Sequence, residues 1–487
     1  MKQPRLKKIE ISTRVIAARL GWVYTMNTLN KDKICASLLI AIAVVQMLTI
    51  FKIPILKDVN AIFGILIIIF AYSGLSSSFR KMTLAFLGLG AVVNLTSNQP
   101  MESWISGINY MLNISAILVI MQLFTIPIRL GDYAGSFKHL ILKVFHTERS
   151  IYCFSTLVIH MFSSILLFGT IPVMLSLLGE PLKQIVKDYK RFMGTSLVRG
   201  YATVVMWAPG AVNILLVLNS TGARWVDIFF IGVTLSVLGL FLAIAFQFPY
   251  LSDEKIPCEI GNQEQDKIKT KEAFTKLGYI FLIIIILVVF ILLFDYLNIG
   301  QGSTYRVMLA SLILASAWIM LNRNHPNFEL ELKEYFQVSL KKMVDLACMY
   351  VGLGVFSLSL ETSGILAGFT PYVAFIAERT GIFMVPVASF LVCVLAFIGV
   401  HPFVLLVLLG KLLVSMPLTF GPHILACALM FGATVSYMSS PFAGIMLTAS
   451  KFLDTTVYEI GIRWNGRFCI TYFILGNIII MLWNYLS

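Results

Sequence analysis

Residues 431–449 read FGATVSYMSSPFAGIMLTA, an apolar segment interrupted near its middle by Ser-Ser-Pro. Ser440 followed by Pro441 is a favourable helix start, because serine caps a first turn and proline is tolerated at the first helical position. The pattern therefore predicts that one helix ends here and another begins. Such a break leaves backbone N–H groups free in the middle of an apolar segment.

The same break recurs earlier in the chain. Residues 199–228 align without gaps with residues 431–460, and the apolar runs 151–179 and 382–411 share the positions of their helix breakers. The matched pairs are Gly200 with Gly432, Pro209 with Pro441, Gly169 with Gly399, and Pro172 with Pro402. Because an odd number of predicted spans separates equivalent elements, the two halves are oppositely oriented, as in secondary transporters with inverted repeats.

The composition excludes a soluble protein. Of the 487 residues, 58% are apolar and only 13% are charged, whereas soluble domains carry about 25% charged residues. The stretches long enough to cross a bilayer are 35–51, 59–75, 82–97, 110–128, 200–219, 226–251, 279–298, 307–322, 347–365, 424–449 and 468–486. We therefore predict an all-α polytopic membrane protein with about 11 transmembrane helices.

The runs 151–179 and 382–411 are too long for one comfortable span and are predicted to form two re-entrant hairpins. Basic residues, including Arg149 and Arg199, flank the first run on both sides, which places both of its ends in the cytoplasm. In this topology the inner segments hold 31 of the 37 Lys and Arg residues. The chain is then a multi-pass protein of the cytoplasmic (inner) membrane, with its N-terminus inside and its C-terminus outside.

The predicted organisation has five parts. Residues 1–34 form a basic amphipathic cytoplasmic arm and 35–58 a leading transmembrane helix. The first inverted repeat covers 59–251, a cytoplasmic linker 252–278, and the second repeat 279–487. The basic residues that give the net charge of +13 lie mostly in the predicted cytoplasmic segments, as expected for a membrane protein. The charge therefore indicates a lipid bilayer as partner and no nucleic acid.

The breaks supply the candidate site. Half-helices that begin near mid-depth present free N–H groups and the positive ends of their dipoles, which favour an anion without any deep Lys or Arg. Nearby hydroxyls and unwound carbonyls are suited to a small cation. The candidate substrate and ion-binding residues are Ser163, Ser164, Gly169, Thr170, Ala208, Pro209, Gly210, Asn213, Gly399, His401, Ser439, Ser440 and Pro441.

Glu361 is the candidate proton carrier, because a carboxyl group inside a predicted span is costly and usually functional. The alternative is a position at the outer boundary of the membrane. His160 and His401 are either proton shuttles or packing residues. The cysteines and histidines lack metal-site spacing, so no cofactor or resident metal is expected beyond a transported Na⁺ or H⁺.

The order of elements resembles the ion transporter (IT) superfamily, which includes divalent-anion/sodium symporters and the large membrane subunits of TRAP-type transporters. The segment 439–444, followed by Tyr458-Glu459-Ile460, is similar to the break and following helix end of TRAP large subunits. The Ser-Asn-Thr signatures of the symporters are absent at the hairpin tips. The resemblance covers roughly residues 35–486 and implies an elevator mechanism, a homodimer and, for TRAP relatives, a periplasmic binding protein.

These observations predict a secondary active transporter of a small, anionic organic solute, coupled to sodium or proton. A cation/proton antiporter on the same scaffold is the alternative, with Glu361 or a histidine carrying the proton. A membrane enzyme acting on lipid-linked sugars is disfavoured, because the predicted outer loops are short and hold only 6 basic residues. We therefore expect no enzymatic activity.

Overall fold

The computed structural model describes residues 31–131, 133–166, 170–256, 263–300, 302–365 and 378–486, together with positions 368, 371 and 375. The described residues form helices and connecting turns, without a strand, which confirms the predicted all-α class. Most of the predicted N-terminal arm (1–30), part of the predicted linker (257–262) and Gly169 lie outside the described residues.

The helices fall into two successive sets. The first set is α1 Lys31–Phe51, α2 Ile55–Ala71, α3 Ser77–Thr96, α4 Met101–Asn109, α5 Leu112–Met121, α6 Thr125–Leu130, α7 Tyr133–Lys143, α8 Glu148–Leu166, α9 Thr170–Ile185, α10 Tyr189–Val204, α11 Val212–Thr221 and α12 Trp225–Gln247. The second set is α13 Gln263–Tyr296, α14 Gly302–Leu321, α15 Phe328–Glu334, α16 Leu340–Thr362, α17 Met384–Phe397, α18 Pro402–Val414, α19 Pro422–Ser439, α20 Gly444–Phe452 and α21 Gly466–Trp483.

Among the described residues, 11 helices are long and apolar enough to cross a membrane. They include two that the sequence analysis assigned to hairpins, Glu148–Leu166 and Glu378–Phe397. The predicted spans 82–97 and 200–219 are not among them: the first lies in α3, which begins with the polar sequence SSFRK, and the second is interrupted.

Two broken segments occupy equivalent places in the two sets. In the first, α10 ends at Val204 and α11 begins at Val212, with Pro209 in the non-helical stretch between them. In the second, α19 ends at Ser439 and α20 begins at Gly444. Proline lacks the N–H that would continue the helical ladder, which explains why both helices stop near a proline.

Each broken segment is preceded by a helix pair: α8 with α9, and α17 with α18. In the first pair, the Glu148 carboxylate at the start of α8 accepts a hydrogen bond from the Lys187 N–H just beyond α9, at 2.6 Å. Its other oxygen accepts from the Ser252 N–H at 2.8 Å, just after α12. The two ends of the first pair therefore lie side by side, so the pair folds back on itself.

Matched glycines let each helix pair approach its broken segment. A Cβ on Gly200 in α10 would lie 3.0 Å from the Thr156 carbonyl oxygen of α8. A Cβ on Gly432 in α19 would overlap the Ser389 carbonyl of α17. The two glycines that match in the sequence repeat therefore make matching close contacts between helices, because small residues allow membrane helices to pack backbone to backbone.

The structure corrects the predicted position of Arg199. The sequence analysis counted this residue as part of a cytoplasmic segment, but it lies inside α10 and is 1% exposed. Its guanidinium donates to Asn465 Oδ1 at 2.7 Å, to the Ala243 carbonyl at 2.9 Å and to the Trp464 carbonyl at 3.0 Å, and it lies over the Phe468 ring. Sequence position alone could not show this burial, because the neutral partners come from distant elements.

Replacing Gly432 with Ala tests the matched packing. We expect the free energy of unfolding to fall by about 1–3 kcal/mol, because the added methyl displaces α19 from the Ser389 carbonyl. The measurement is the thermal unfolding midpoint of the purified protein in detergent. Gly278→Ala is the control, since a Cβ there meets no atom within 4 Å; equal midpoints for the two variants would contradict the packing.

Candidate functional site

A cavity of about 1000 Å³ lies where the helix pairs and the second broken segment face the first-set helices α3, α5 and α6 and the helix α16. Its walls are mainly apolar: Phe162 and Ile171 come from the first pair, Phe403 from the second pair and Phe442 from the second break. Tyr201 of the first broken segment also reaches it. Residues of both helix pairs, of α10 and of the second break therefore border one space, whereas the residues of the first break do not.

The charged residues that line the cavity come from two helices. Arg129 lies in α6, and Lys342 and Asp345 are in the first turns of α16. The Arg129 guanidinium pairs with Glu334 at 3.1 Å and approaches Glu331 at 3.5 Å. The cavity lining thus combines a few charged residues from α6 and α16 with mainly apolar walls.

His401 is the predicted site residue that lines the cavity directly. It is the N-cap of α18, and its Nδ1 accepts a hydrogen bond from the Phe403 N–H at 3.2 Å. Because Nδ1 is the acceptor, the proton of the neutral ring is on Nε2. The imidazole can therefore present an N–H donor while its other nitrogen caps the helix.

Ser440 joins the second break to the second helix pair. Its hydroxyl donates to the Ala396 carbonyl at 2.8 Å, at the end of α17, and accepts from the Phe442 N–H at 3.2 Å. The neighbouring Ser439 hydroxyl is bonded to the Val435 carbonyl in its own helix. Both predicted serines are therefore occupied by protein partners.

His160 has the corresponding structural role at the first break. Its Nδ1 lies 3.1 Å from both the Gly200 carbonyl and the Thr203 hydroxyl. The Trp207 indole N–H, which can only donate, bonds to Nε2 at 3.1 Å. Both ring nitrogens are therefore satisfied, and this histidine ties α8 to the non-helical stretch after α10.

The hydroxyls of the first pair are less fully bonded. Ser163 Oγ and Thr170 Oγ1 are buried and have no hydrogen-bond partner, whereas Ser164 donates to the Met161 carbonyl at 2.7 Å. Ser163 adjoins the cavity-lining Phe162, and Thr170 adjoins Ile171. The tip residue Gly169 lies outside the described residues.

The first break packs beside the cavity rather than on its surface. Ala208, Pro209 and Gly210 are all buried, and a Cβ on Gly210 would lie 2.7 Å from the Met121 methyl carbon. Asn213, in the first turn of α11, accepts a hydrogen bond from the Tyr437 hydroxyl at 2.8 Å. This bond joins the first broken segment to the second.

Glu361 lies near the end of α16 in a three-membered polar cluster. Its carboxylate is 2.8 Å from Lys411 Nζ and accepts from the Tyr110 hydroxyl at 2.9 Å, and Lys411 donates to the same hydroxyl at 2.6 Å. Lys411 is on α18, so this cluster links the second helix pair to α16 and the α4–α5 junction. The Glu361 side chain is 47% exposed and is already paired with a cation.

Sequence reasoning missed the tyrosines of the site. Tyr201 and Tyr437 line the cavity, and Tyr350 of α16 is fully buried close to both. Aromatic residues are so common in these apolar helices that they carry no local signal. The described residues also contain no His, Cys, Asp and Glu group arranged to hold a metal ion.

Gly399, at the tip of the second pair, has a φ of +100°, which favours glycine. We expect Gly399→Ala to cost about 1–2 kcal/mol of strain and to reduce transport, because the tip carries His401. Gly364→Ala is the matched control: it has a φ of +72° and open space around its Cβ. Thermal unfolding and vesicle uptake are measured for both; a Gly399→Ala protein with full transport would remove this tip from the site.

The fold is similar to that of a solved membrane transporter. The crystal structure of the YdaH transporter of Alcanivorax borkumensis, described as having an unusual topology, matches with a TM-score of 0.58 and 12% identity, over 84% of this chain and 98% of that one. No family model and no curated protein matches the sequence. At this identity the likeness shows the fold alone. The chain is a multi-pass, all-helical membrane protein whose fold is similar to that of this transporter, a coarser statement than membership of the ion transporter superfamily.

Proposed function

We propose that this protein is an elevator-type secondary active transporter that moves a small anionic organic solute across the cytoplasmic membrane, coupled to sodium or proton. The observation that carries the proposal is the single cavity bordered by both helix pairs and both broken segments. Discontinuous helices around one site near mid-depth are the arrangement by which secondary transporters hold a solute without buried charges.

The charged residues that line the cavity and the Lys411–Glu361 pair lie toward opposite ends of α16. Lys342, which lines the cavity, and Glu361 of the polar cluster are 19 residues and therefore about 28 Å apart on this helix. In this proposal the Lys342 end is the mouth of the cavity, and the Lys411–Glu361 pair closes the opposite end. A solute site open to one side and closed by ionic contacts at the other is what alternating access requires.

Contacts between helix ends support the topology that the basic residues predict. The ends of α8, α9 and α12 meet at Glu148, and Lys190 at the start of α10 donates to the Asp454 carbonyl at 2.5 Å, just beyond α20. On the other side, Arg224 after α11 pairs with Asp227 at 2.7 Å and lies 3.9 Å from Asp295 near the end of α13. With the basic side inside, the cavity mouth faces the cytoplasm.

In this proposal the helix pairs are re-entrant hairpins and move with the broken segments against α2–α6 and α13–α16. The Lys411–Glu361–Tyr110 cluster crosses between these two groups, so it must open whenever they slide. The homodimer and the periplasmic binding protein implied by the family resemblance stay predictions. The expected absence of enzymatic activity also stays a prediction, with which the likeness to a transporter is consistent.

Uptake into proteoliposomes tests the function. We expect labelled organic anions to accumulate under an inward sodium or proton gradient, and to stop accumulating when that gradient is collapsed. A sodium-dependent proton flux without any organic solute would instead favour the cation/proton antiporter. Indifference to every imposed gradient would refute secondary transport.

Exchanging the charges of Glu361 and Lys411 tests what this cluster does. We expect Glu361→Gln to change the transport rate by several-fold at every pH, and Glu361→Lys combined with Lys411→Glu to restore it, because the ion pair is re-formed. A proton carrier predicts the reverse: Glu361→Gln alters the pH dependence, and the charge exchange does not rescue. Arg463→Gln, at an exposed pair with Glu459, is the control.

A further inference from the structure

Gln122 is a buried polar residue of the cavity wall whose side chain bonds to no described residue. It lines the cavity and is 7% exposed. The Thr125 hydroxyl donates to its backbone carbonyl at 2.6 Å, which leaves the side-chain amide free. Taking an amide out of water without giving it a hydrogen bond costs free energy. If the cavity holds the transported solute, as the proposed function requires, the solute is the missing partner of this amide.

Ser339 is a second group of the same kind and lies near Gln122. It also lines the cavity, it is 2% exposed, and its hydroxyl has no bond within the described part of the chain. The Tyr335 hydroxyl, one turn before Ser339, donates to the Val119 carbonyl at 3.1 Å, and Val119 is one turn before Gln122. Two unpaired polar side chains therefore lie close together on the wall formed by α5, α6 and α16.

Both side chains belong to irregular turns of their helices. Gln122–Phe124 is a 3₁₀ turn between α5 and α6, and Tyr335–Ser339 is a π-helical turn before α16. Pro127 lacks the N–H that would continue the helical ladder, which explains the irregularity in the first helix. The two turns contact each other, and π-helical turns occur frequently at functional sites. The wall therefore departs from regular helix at the position of its unpaired groups.

The two cationic residues of the cavity lie a short way along the same helices. Arg129 follows Gln122 by seven residues and Lys342 follows Ser339 by three, which places them about 10 Å and about 5 Å away along the helix axes. The third charged lining residue, Asp345, accepts a hydrogen bond from the backbone N–H just before α3, at 3.4 Å. With two cations and one carboxylate, this wall attracts an acidic group close to its neutral polar pair.

We propose that Gln122 and Ser339 bind an uncharged polar group of the transported solute, while the acidic group of the solute lies at Arg129 or Lys342. The glutamine amide and the serine hydroxyl each donate and accept hydrogen bonds, so together they suit a group that does both. A hydroxyl is the simplest such group, whereas a methyl group does neither and a carboxylate only accepts. The solute is then an organic acid with a hydroxyl-like group about 5–10 Å from its acid.

Six-carbon acids that differ at one position test this inference. The apparent affinity of the purified protein in detergent is measured from its thermal unfolding midpoint as a function of the concentration of hexanoate, 2-hydroxyhexanoate or 6-hydroxyhexanoate. Only 6-hydroxyhexanoate has its hydroxyl at the far end of the chain from the acid. We expect it to bind about fivefold more tightly than the other two, the contribution of one hydrogen bond. Adipate, with a carboxylate in place of the distal hydroxyl, should also bind more weakly, because burying a second charge is costly.

Two variants test the residues. Gln122→Leu and Ser339→Ala should each lower the preference for 6-hydroxyhexanoate over hexanoate and together abolish it, while the affinity for hexanoate stays the same. Gln122→Leu should not lower the unfolding midpoint of the unliganded protein, because an apolar side chain of similar size replaces an unpaired polar one. A glutamine with only a structural role predicts the reverse: a lower midpoint, and an equal loss of affinity for both acids.

Gln247 and Ser357 provide the matched controls. Gln247, the last residue of α12, is 1% exposed with an unpartnered Oε1, and Ser357 on α16 is 0% exposed with an unpartnered hydroxyl. Neither residue lines the cavity. Gln247→Leu and Ser357→Ala should therefore leave the preference for 6-hydroxyhexanoate unchanged. If Gln122→Leu fails to fold, Ser339→Ala still decides, because it removes only one oxygen atom that bonds to no described residue.

Several results would overturn the assignment. Equal binding of hexanoate and 6-hydroxyhexanoate, or no binding of any acid, would refute a site for an uncharged polar group. Equal binding of the two hydroxy acids, or a preference that survives both variants, would place the hydroxyl elsewhere. Tighter binding of adipate would assign this wall to a second acidic group.

Transport measurements separate this inference from the proposed function. Selective binding of 6-hydroxyhexanoate, lost in both variants, by a protein that transports nothing under any gradient would keep the site and refute the transporter. Gradient-driven transport of organic acids whose selectivity is the same in both variants would keep the transporter and refute the site.

Discussion

A helix interrupted within a membrane leaves backbone groups that lipid cannot satisfy, so protein must cover every break. At the first break, Trp207 and Thr203 bond to His160, and Ser236 of α12 donates to the Thr203 carbonyl. At the second, a Cβ on Gly461 would lie 2.9 Å from the Ser439 carbonyl, so this glycine lets the chain before α21 pack directly on the break. The positions of the helix pairs and of the helices after each break follow from this need.

Arg199 shows how tightly one side of this assembly is tied together. A buried cation is tolerated only when its hydrogen bonds are satisfied, and each hydrogen bond to a charged group contributes about 1.5–3 kcal/mol. Its donors reach Asn465, Ala243 and Trp464, and its backbone carbonyl accepts from the Thr203 hydroxyl at 2.8 Å. The same helix turn therefore ties α10 to α12 and to the chain just before α21, and it positions the first break.

Local chemistry was enough to predict the breaks but not their partners. Ser440-Pro441 and Ala208-Pro209 each predict that one helix ends and another begins within a few residues. Hydropathy predicts the spans around them. The Tyr437–Asn213 bond joins residues 224 apart in the sequence, and Lys411–Tyr110 joins residues 301 apart. Such pairings depend on how distant helices pack. The sequence therefore indicated that the Glu361 carboxyl lies in a predicted span, but it did not indicate that Lys411 pairs with it.

The distribution of charge bears on the coupling. The ion pairs of the described residues lie at helix ends, and the charged residues that line the cavity come from α6 and α16, whereas the helix pairs and broken segments line it with neutral residues. An anion held by neutral donors would carry its full charge through the low-dielectric interior, at a large electrostatic cost. A cation travelling with the anion removes that cost. Symport of a cation with the acid therefore suits a neutral site better than antiport, which needs a titratable group that Glu361, already paired with Lys411, does not readily supply.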